Sequence, residues 1–264
     1  MAFRTESGGV VPAVTADQMR EIDRIAVEEF GLSILQMMEN AGRILAAHVM
    51  ELLGAGGPAG PASRKVTVLA GPGGNGGGGL CCARHLHNRG IAVSIALDRD
   101  PAALTGTARS QMDILRAAGA QSLARGEAGV ALRRSSIVVD ALIGYGLRGA
   151  ATGRAAELIA LCNLAAAEVV ALDVPSGLDA TTGDAHGPVV RADRTLTLAL
   201  PKTGLGRLTG DLYLAEIGIP PEAYRRLGLA YTPPLRRCGF RAARLRRFAR
   251  LTPAVGNECG SIPR

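Results

Sequence analysis

The sequence predicts an α/β fold of three αβα layers, with a mostly parallel sheet preceded by two N-terminal helices. Short β-branched runs alternate with helical periodicity from Lys65 onward, and two amphipathic patterns come before the first run. Strand–helix alternation of that kind builds a parallel sheet covered on both faces.

Thr15-Ala16-Asp17-Gln18 reads as a capping box, and Met19, Ile22 and Ala26 follow at helical spacing. Past the Phe30-Gly31 break, Ile34, Leu35, Met38, Ala41, Ile44 and Leu45 mark a second helix with a wide apolar face. The Gly-Pro-rich stretch from Gly54 to Ser63 reads as a loop. Lys65 to Ala70 (KVTVLA) is then the first strand, Gly71 to Gly79 a glycine loop, Leu80 to Arg89 a helix and Ile91 to Leu97 a second strand. The alternation continues with a helix near Thr107 to Ala117, a strand at Ser136 to Leu142, a helix at Arg154 to Ala165 and a strand at Val169 to Val174. Leu196 to Leu200 and Asp211 to Ile217 read as closing strands, after which Ile219-Pro220-Pro221 stops the pattern. The expected organisation is a flexible N-terminus at 1–13, one domain at 14–221 and an Arg-rich tail at 222–264.

With 47% hydrophobic and 20% charged residues, a chain of 264 residues can bury a full core. No stretch is apolar enough for a signal peptide or a membrane span, so a cytoplasmic address with no membrane partner is expected. The net charge of +7 gathers between Arg225 and Arg250, where acidic residues are missing. Aromatics are only 3% and Trp is absent, which leaves few platforms for base stacking, so no nucleic-acid partner is expected. Five cysteines without CxxC or metal-ligand spacing read as free thiols, with Cys81, Cys82 and Cys162 on helices as small buried hydrophobes.

Open parallel sheets bind ligands beyond the carboxyl ends of their strands, and three segments end there. Gly71-Pro72-Gly73-Gly74-Asn75-Gly76-Gly77-Gly78-Gly79 joins a strand to a helix, where bare backbone N–H groups can cradle an anion at a positive helix end. Val139-Asp140-Ala141 puts a carboxylate at the end of a buried strand, ahead of the turn Gly144-Tyr145-Gly146-Leu147-Arg148-Gly149-Ala150. Asp173-Val174-Pro175-Ser176 repeats the arrangement one strand later and adds a hydroxyl. A buried carboxylate demands hydrogen bonds, a pair or a cation. Asn75, Asp140 and Ser176 converge as oxygen donors with a single carboxylate among them, a set that suits a monovalent ion better than a divalent one. The glycine run also contains GxGxxG through Gly71, Gly73 and Gly76, and Asp98 closes the next strand where a ribose-binding acid belongs in nicotinamide oxidoreductases. That spacing alone is a weak signal.

Met38-Glu39-Asn40-Ala41-Gly42, the Gly71 to Gly79 run, Val139-Asp140-Ala141, Asp173-Val174-Pro175-Ser176-Gly177 and Ala192-Asp193-Arg194-Thr195 with Pro201-Lys202, behind a helix carrying Asp23, resemble the NAD(P)H-hydrate epimerase family. The resemblance runs from about Val14 to Pro220 and implies a Rossmann-like sheet, a homodimer, a bound potassium ion, and epimerisation of the hydrated dinucleotides NADHX and NADPHX. It implies Asn75, Asp140 and Ser176 as potassium ligands. Gly74, Asn75, Gly76, Gly77, Gly78, Gly144 to Ala150 and Asp173 become substrate-binding positions. The hydrate's chemistry then asks for a proton donor and acceptor, for which Asp140 and Asp173 are both candidates, Asp140 being preferred for its place beside the cation and Asp173 for fixing the substrate. Gly74 stands where the family's loop has asparagine and Gly78 where it has aspartate, which removes a carboxylate expected in the site, points to weakened activity and leaves a non-catalytic nucleotide-binding module of the same fold as the alternative to an enzyme. The family's partner dehydratase domain is not expected in the 44 residues after Pro220.

Overall fold

The computed structural model describes residues 1–55, 64–233 and 242–248. Strands β1 (Ala2–Thr5) and β2 (Val10–Pro12) form a hairpin, followed by α1 (Ala16–Arg24), a π-helical turn (Ile25–Glu29) and α2 (Ile34–Ala55). The parallel portion then runs β3 (Lys65–Ala70), α3 (Gly74–His87), β4 (Ala92–Leu97), α4 (Gly106–Ala117), α5 (Ala128–Arg133), β5 (Ile137–Ala141), α6 (Gly153–Asn163), β6 (Glu168–Leu172), β7 (Arg194–Leu198) and β8 (Asp211–Ala215). Helix α7 (Pro221–Arg226) and β9 (Ala243–Phe248) follow.

The nine strands of the described residues join one sheet in the order β2-β1-β9-β8-β7-β6-β5-β3-β4. The run β4 to β8 is parallel, while β1, β2 and β9 pair antiparallel. Side chains alternate between the two faces as the pleat requires. Val68, Val139 and Val170 pack with Leu45 of α2, Leu80 of α3 and Met112 of α4. Leu69, Val138 and Val169 face the other way, onto Leu132 of α5 and Leu158 of α6. The three layers are therefore α2-α3-α4, sheet and α5-α6. A third cluster joins Phe3, Met19, Ile22, Leu214, Tyr224 and Leu245 at the antiparallel end.

The capping box forms: the Thr15 hydroxyl accepts from Gln18 N at 3.2 Å and Gln18 Oε1 accepts from Thr15 N at 2.9 Å. Cys81, Cys82 and Cys162 are buried free thiols, while Cys238 and Cys259 lie outside the described residues. Among the described residues no helix is long and apolar enough to cross a membrane.

Three expectations about the ends of the folded unit are corrected. Residues 1–13 are not a flexible leader, because β1 and β2 are built into the sheet and Phe3 and Val11 are fully buried. The folded unit does not stop at 221: Pro221 opens α7, since proline is favoured in a first helical turn, and Tyr224 is buried behind it. Part of the Arg-rich segment is strand β9, which sits between β8 and β1 with Leu245 buried.

Residues 74–79, glycines apart from Asn75, form the opening turns of α3 and not a loop. Glycine is a poor helix former in isolation, but here contact overrides propensity. A Cβ at Gly76 would lie 1.8 Å from the Gly71 carbonyl oxygen, and one at Gly79 would lie 2.4 Å from Ala141 Cβ. Bare backbone lets α3 press onto the ends of β3 and β5.

Candidate active site

The switch in strand order falls between β3 and β5: α3 carries the chain from β3 outward to β4, while β5 lies on the other side of β3. Gly73 caps α3 with extended backbone and no side chain, so the N–H groups of the first turn, at Gly74, Asn75 and Gly76, lack intrahelical acceptors and face this crevice.

Asn75 projects from that first turn. Its Oδ1 and Nδ2 atoms are both buried, and neither has a hydrogen-bond partner. A buried amide left unpaired costs on the order of 1–3 kcal/mol, so the side chain is arranged for something other than the protein. A Cβ placed on Gly144 would lie 3.2 Å from Asn75 Oδ1 and 3.2 Å from Asp173 Oδ2. A side chain at 144 would therefore crowd both the amide and the carboxylate, and glycine lets the groups after β3, β5 and β6 approach one another closely.

Asp140 and Ser176 form a closed pair behind this crevice, both fully buried. The Ser176 hydroxyl donates to Asp140 Oδ1 at 2.6 Å and accepts from Ile143 N at 2.8 Å. Ser176 N donates to Asp140 Oδ2 at 2.8 Å, and Leu142 N reaches Oδ1 at 3.3 Å. Burial raises the Asp140 carboxyl to about 6, against the pull of the Ser176 hydroxyl and the Ser176 and Leu142 amides. As a cation-binding set, Asn75 offers an unpartnered amide oxygen, Asp140 a carboxylate and Ser176 a hydroxyl oxygen that lies 3.2 Å from the Ile143 carbonyl oxygen. One negative charge among neutral oxygens fits a monovalent ion.

Asp173 takes a left-handed backbone, φ +68°, a conformation that aspartate tolerates better than most residues. Its Oδ2 accepts from Tyr145 N at 3.2 Å, and its Oδ1 accepts from Leu198 N at 3.3 Å and from the Lys202 ammonium. Lys202 also donates to the Leu198 carbonyl at 2.9 Å and stands 5.5 Å from the centre of the Tyr145 ring. The Tyr145 hydroxyl donates to Asp23 of α1. Burial raises the Asp23 carboxyl, opposed by the Tyr145 hydrogen bond and the Lys202 charge. Burial, and then the Asp23 charge, push the Tyr145 phenol well upward.

The structure therefore joins Asn75, Gly144, Tyr145 and Asp173 in one crevice, with Asp140 and Ser176 beneath it. Gly146, Arg148, Gly149 and Ala150 are exposed on the β5–α6 turn, with Leu147 half-buried. Gly78 is a correction. A side chain there would begin 2.9 Å from a Leu172 methyl, with Ala41 and Met38 of α2 next to it, so the position faces helix packing and not the crevice. Gly77 likewise faces Thr107, and Gly74 faces the Met38 methyl at 3.4 Å. Asp23 and Lys202 received no role from the sequence, although both lay in the segments that carried the resemblance. No local spacing ties a first-helix carboxylate to a lysine beyond the seventh strand.

A second cluster, Glu39, Cys81 and His85, brings metal-ligating side chains together between α2 and α3. Arg84 closes it, pairing with Glu39 and reaching the Cys81 sulfur at 3.4 Å. The Cys81 thiol is pushed up to about 12 by burial and the Glu39 charge.

Residues 34–204 match the family model described as YjeF-related protein N-terminus. The chain is 49% identical to the NAD(P)H-hydrate epimerase of Dehalogenimonas lykanthroporepellens, with 87% of this chain and 91% of that protein aligned. It is 38% identical to the NAD(P)H-hydrate epimerase of Rhodopirellula baltica, over 83% of this chain and 89% of that one. A bifunctional NAD(P)H-hydrate repair enzyme of Moorella thermoacetica is 41% identical over 79% of this chain, which spans 41% of that longer protein. The crystal structure of yeast ynu0 shares the fold, with a TM-score of 0.77 and 23% identity over 89% of this chain and all of that one. From its matched domain, its near full-length relatives and its sheet, the chain belongs to the YjeF-related N-terminal family, that of the NAD(P)H-hydrate epimerases.

Proposed function

We propose that this protein interconverts the R and S forms of NADHX and NADPHX and that it uses potassium. The names of its relatives support the activity. The observation that carries the reading at the site is the buried, unpartnered amide of Asn75, set across Gly144 from the Asp173 carboxylate at the end of the dinucleotide crevice.

In the hydrate, C6 of the ring bears a hydroxyl beside the ring nitrogen. Protonation of that hydroxyl lets water depart while the nitrogen lone pair forms an iminium. Water then adds to either face of C6 and returns a proton, so no net proton or electron is consumed. Asp173, fixed by Lys202 and Tyr145 N, positions the substrate. The first-turn amides of α3 take its phosphates, and the Gly144 to Ala150 turn closes over it. Asp140 has no exposed atom, so it serves as the proton reservoir through the Ser176 hydroxyl or a water. Asn75, Asp140 and Ser176 would hold the potassium ion, which when bound would supply a fixed positive charge to the site. The homodimer is proposed from the family resemblance, and the cytoplasmic location from the sequence expectation.

The test is chromatography of pure R-NADHX with the protein in potassium buffer. Epimers equilibrate with wild type. Asp140→Asn lowers the rate by at least about a hundredfold, the scale of a general acid–base group, while leaving the fold intact because the amide oxygen still accepts from Ser176. A fully active Asp140→Asn would remove Asp140 from the mechanism, and an inert wild type would remove the activity.

A further inference from the structure

At the far side of the same crevice, the carboxyl end of β4 opens into a cavity of about 460 Å³ lined by Asp98, Arg99, Ser122, Leu123, Arg125 and Arg154 among others. Asp98 follows β4 directly, and its N–H bonds the Ala70 carbonyl at 3.2 Å, so the acid stands beside the turn that leads into α3. The opposite wall is a short extended segment. Ser122 bridges Ile95 in parallel, and Leu123 N donates to the Ile95 carbonyl at 2.8 Å. Arg154, in the first turn of α6, donates to the Arg125 carbonyl at 2.7 Å and so pins the 122–125 segment to the helix that follows the Gly144 to Ala150 turn.

Resting on the proposed dinucleotide substrate, we infer that this cavity seats the adenosine end of the molecule and that Arg99 reads a phosphate at the 2′ position of its ribose. Two observations carry this. The first is placement. Asp173 after β6 and Asp98 after β4 are separated by two intervening strands, β5 and β3, which makes three strand spacings or about 14 Å. An extended dinucleotide separates its two rings over a comparable length, and the α3 N-terminus stands midway for the pyrophosphate. In doubly wound sheets, the acid closing the strand after the glycine turn meets the ribose, or a neighbouring arginine takes the 2′-phosphate. The second is chemistry. Arg99 Nε and Nη2 hold the two Asp98 carboxylate oxygens at 3.0 and 3.3 Å, which occupies the acid while much of the Arg99 side chain stays exposed. The Asp98 side chain is only 12% exposed and that of Arg99 is 44% exposed, so the guanidinium is the more accessible member of the pair, while the neighbouring Asp100 carboxylate in the same lining is engaged by Ala102 N at 2.7 Å. A phosphate dianion satisfies that cation where a hydroxyl cannot.

Isothermal titration of the whole protein with adenosine 2′,5′-bisphosphate and with ADP tests this without any turnover. Wild type binds the bisphosphate at least tenfold more tightly than ADP. Arg99→Ala removes that difference, and Ala124→Trp, which fills the cavity from its exposed wall, weakens both ligands tenfold or more. Melting curves confirm that each variant is folded, and Arg99→Ala decides alone if Ala124→Trp is not. Equal affinities for the two ligands in wild type, or binding that neither substitution alters, would overturn the inference. R-NADHX epimerisation is read separately: fragment binding with no epimerisation sinks the proposed activity and leaves the subsite standing, and epimerisation without fragment binding does the reverse.

Discussion

Lys202 and Asp173 form an ion pair in which both side chains are closed to solvent, 1% and 4% exposed, so two strand-end loops are tied by charges that water cannot screen. Removing one member leaves the other buried and uncompensated. Lys202→Met is expected to cost about 3–5 kcal/mol, the usual penalty for breaking a buried pair from one side. The double variant Lys202→Met/Asp173→Asn recovers most of it, because no full charge remains buried. Urea unfolding of the three proteins measures this, and equal stability of Lys202→Met and wild type would show that the pair is solvated.

Potassium is expected to stabilise the fold. An ion bound by the native state alone adds RT ln(1 + [L]/Kd), or roughly 2.7 kcal/mol at about 100 times Kd. Thermal melts in potassium and in a bulky organic cation of equal ionic strength make the comparison. Superimposable curves would leave Asn75, Asp140 and Ser176 without an ion.

Gly78→Asp tests the geometry of α3. The family loop places a carboxylate there, and sequence alone suggests that restoring it would leave activity unchanged or raise it. The position instead meets a Leu172 methyl at 2.9 Å and the Met38 and Ala41 side chains. Overpacking alone costs about 1–3 kcal/mol, and a carboxylate among these groups adds its desolvation. The variant should therefore melt lower and gain no activity. A raised epimerisation rate at unchanged melting temperature would show that the carboxylate finds the crevice after all.

Truncation after Leu229 removes β9. Read from sequence, the Arg-rich segment looks dispensable. In the fold it separates β8 from β1, and Leu245 is packed with Phe3 and Leu214. The truncated chain exposes two unpaired sheet edges, which favour association between chains. It should be recovered largely as aggregate, by size-exclusion chromatography of the soluble fraction. A soluble monomer with native melting behaviour would refute the assignment of β9.

The parallel core was legible because each strand is a short β-branched run bounded by glycine, proline or aspartate, from KVTVLA at β3 to the run ending at Asp173. The ends were not legible, for two reasons. β1 and β2 are short and rely on partners distant in sequence, so Ala2–Thr5 carries no local sign of pairing with residues 245–248. In β9, Ala-Arg-Leu-Arg-Arg-Phe looks like a solvated charge run until its pairing with β8 and β1 supplies a buried place for Leu245. At the site, Asn75, Asp140, Asp173 and Ser176 were readable as polar residues stranded at strand ends. Gly78 was misplaced because glycine hides its direction, and only packing shows which way a side chain would point. Asp23 and Lys202 meet Tyr145 and Asp173 through tertiary structure alone.

The placement of β9 also orders events during synthesis. β3 to β8 pair through crossovers of modest length, and each new strand finds its neighbour already made. The hairpin at Ala2–Thr5 and Val10–Pro12, although translated first, has no edge to join until residues 243–248 arrive, because β9 alone connects it to β8. Contacts this distant in sequence form slowly. The nascent protein thus holds an apolar hairpin in waiting, with Phe3 and Val11 uncovered, and its crevice can be assembled while its sheet is still open on one side.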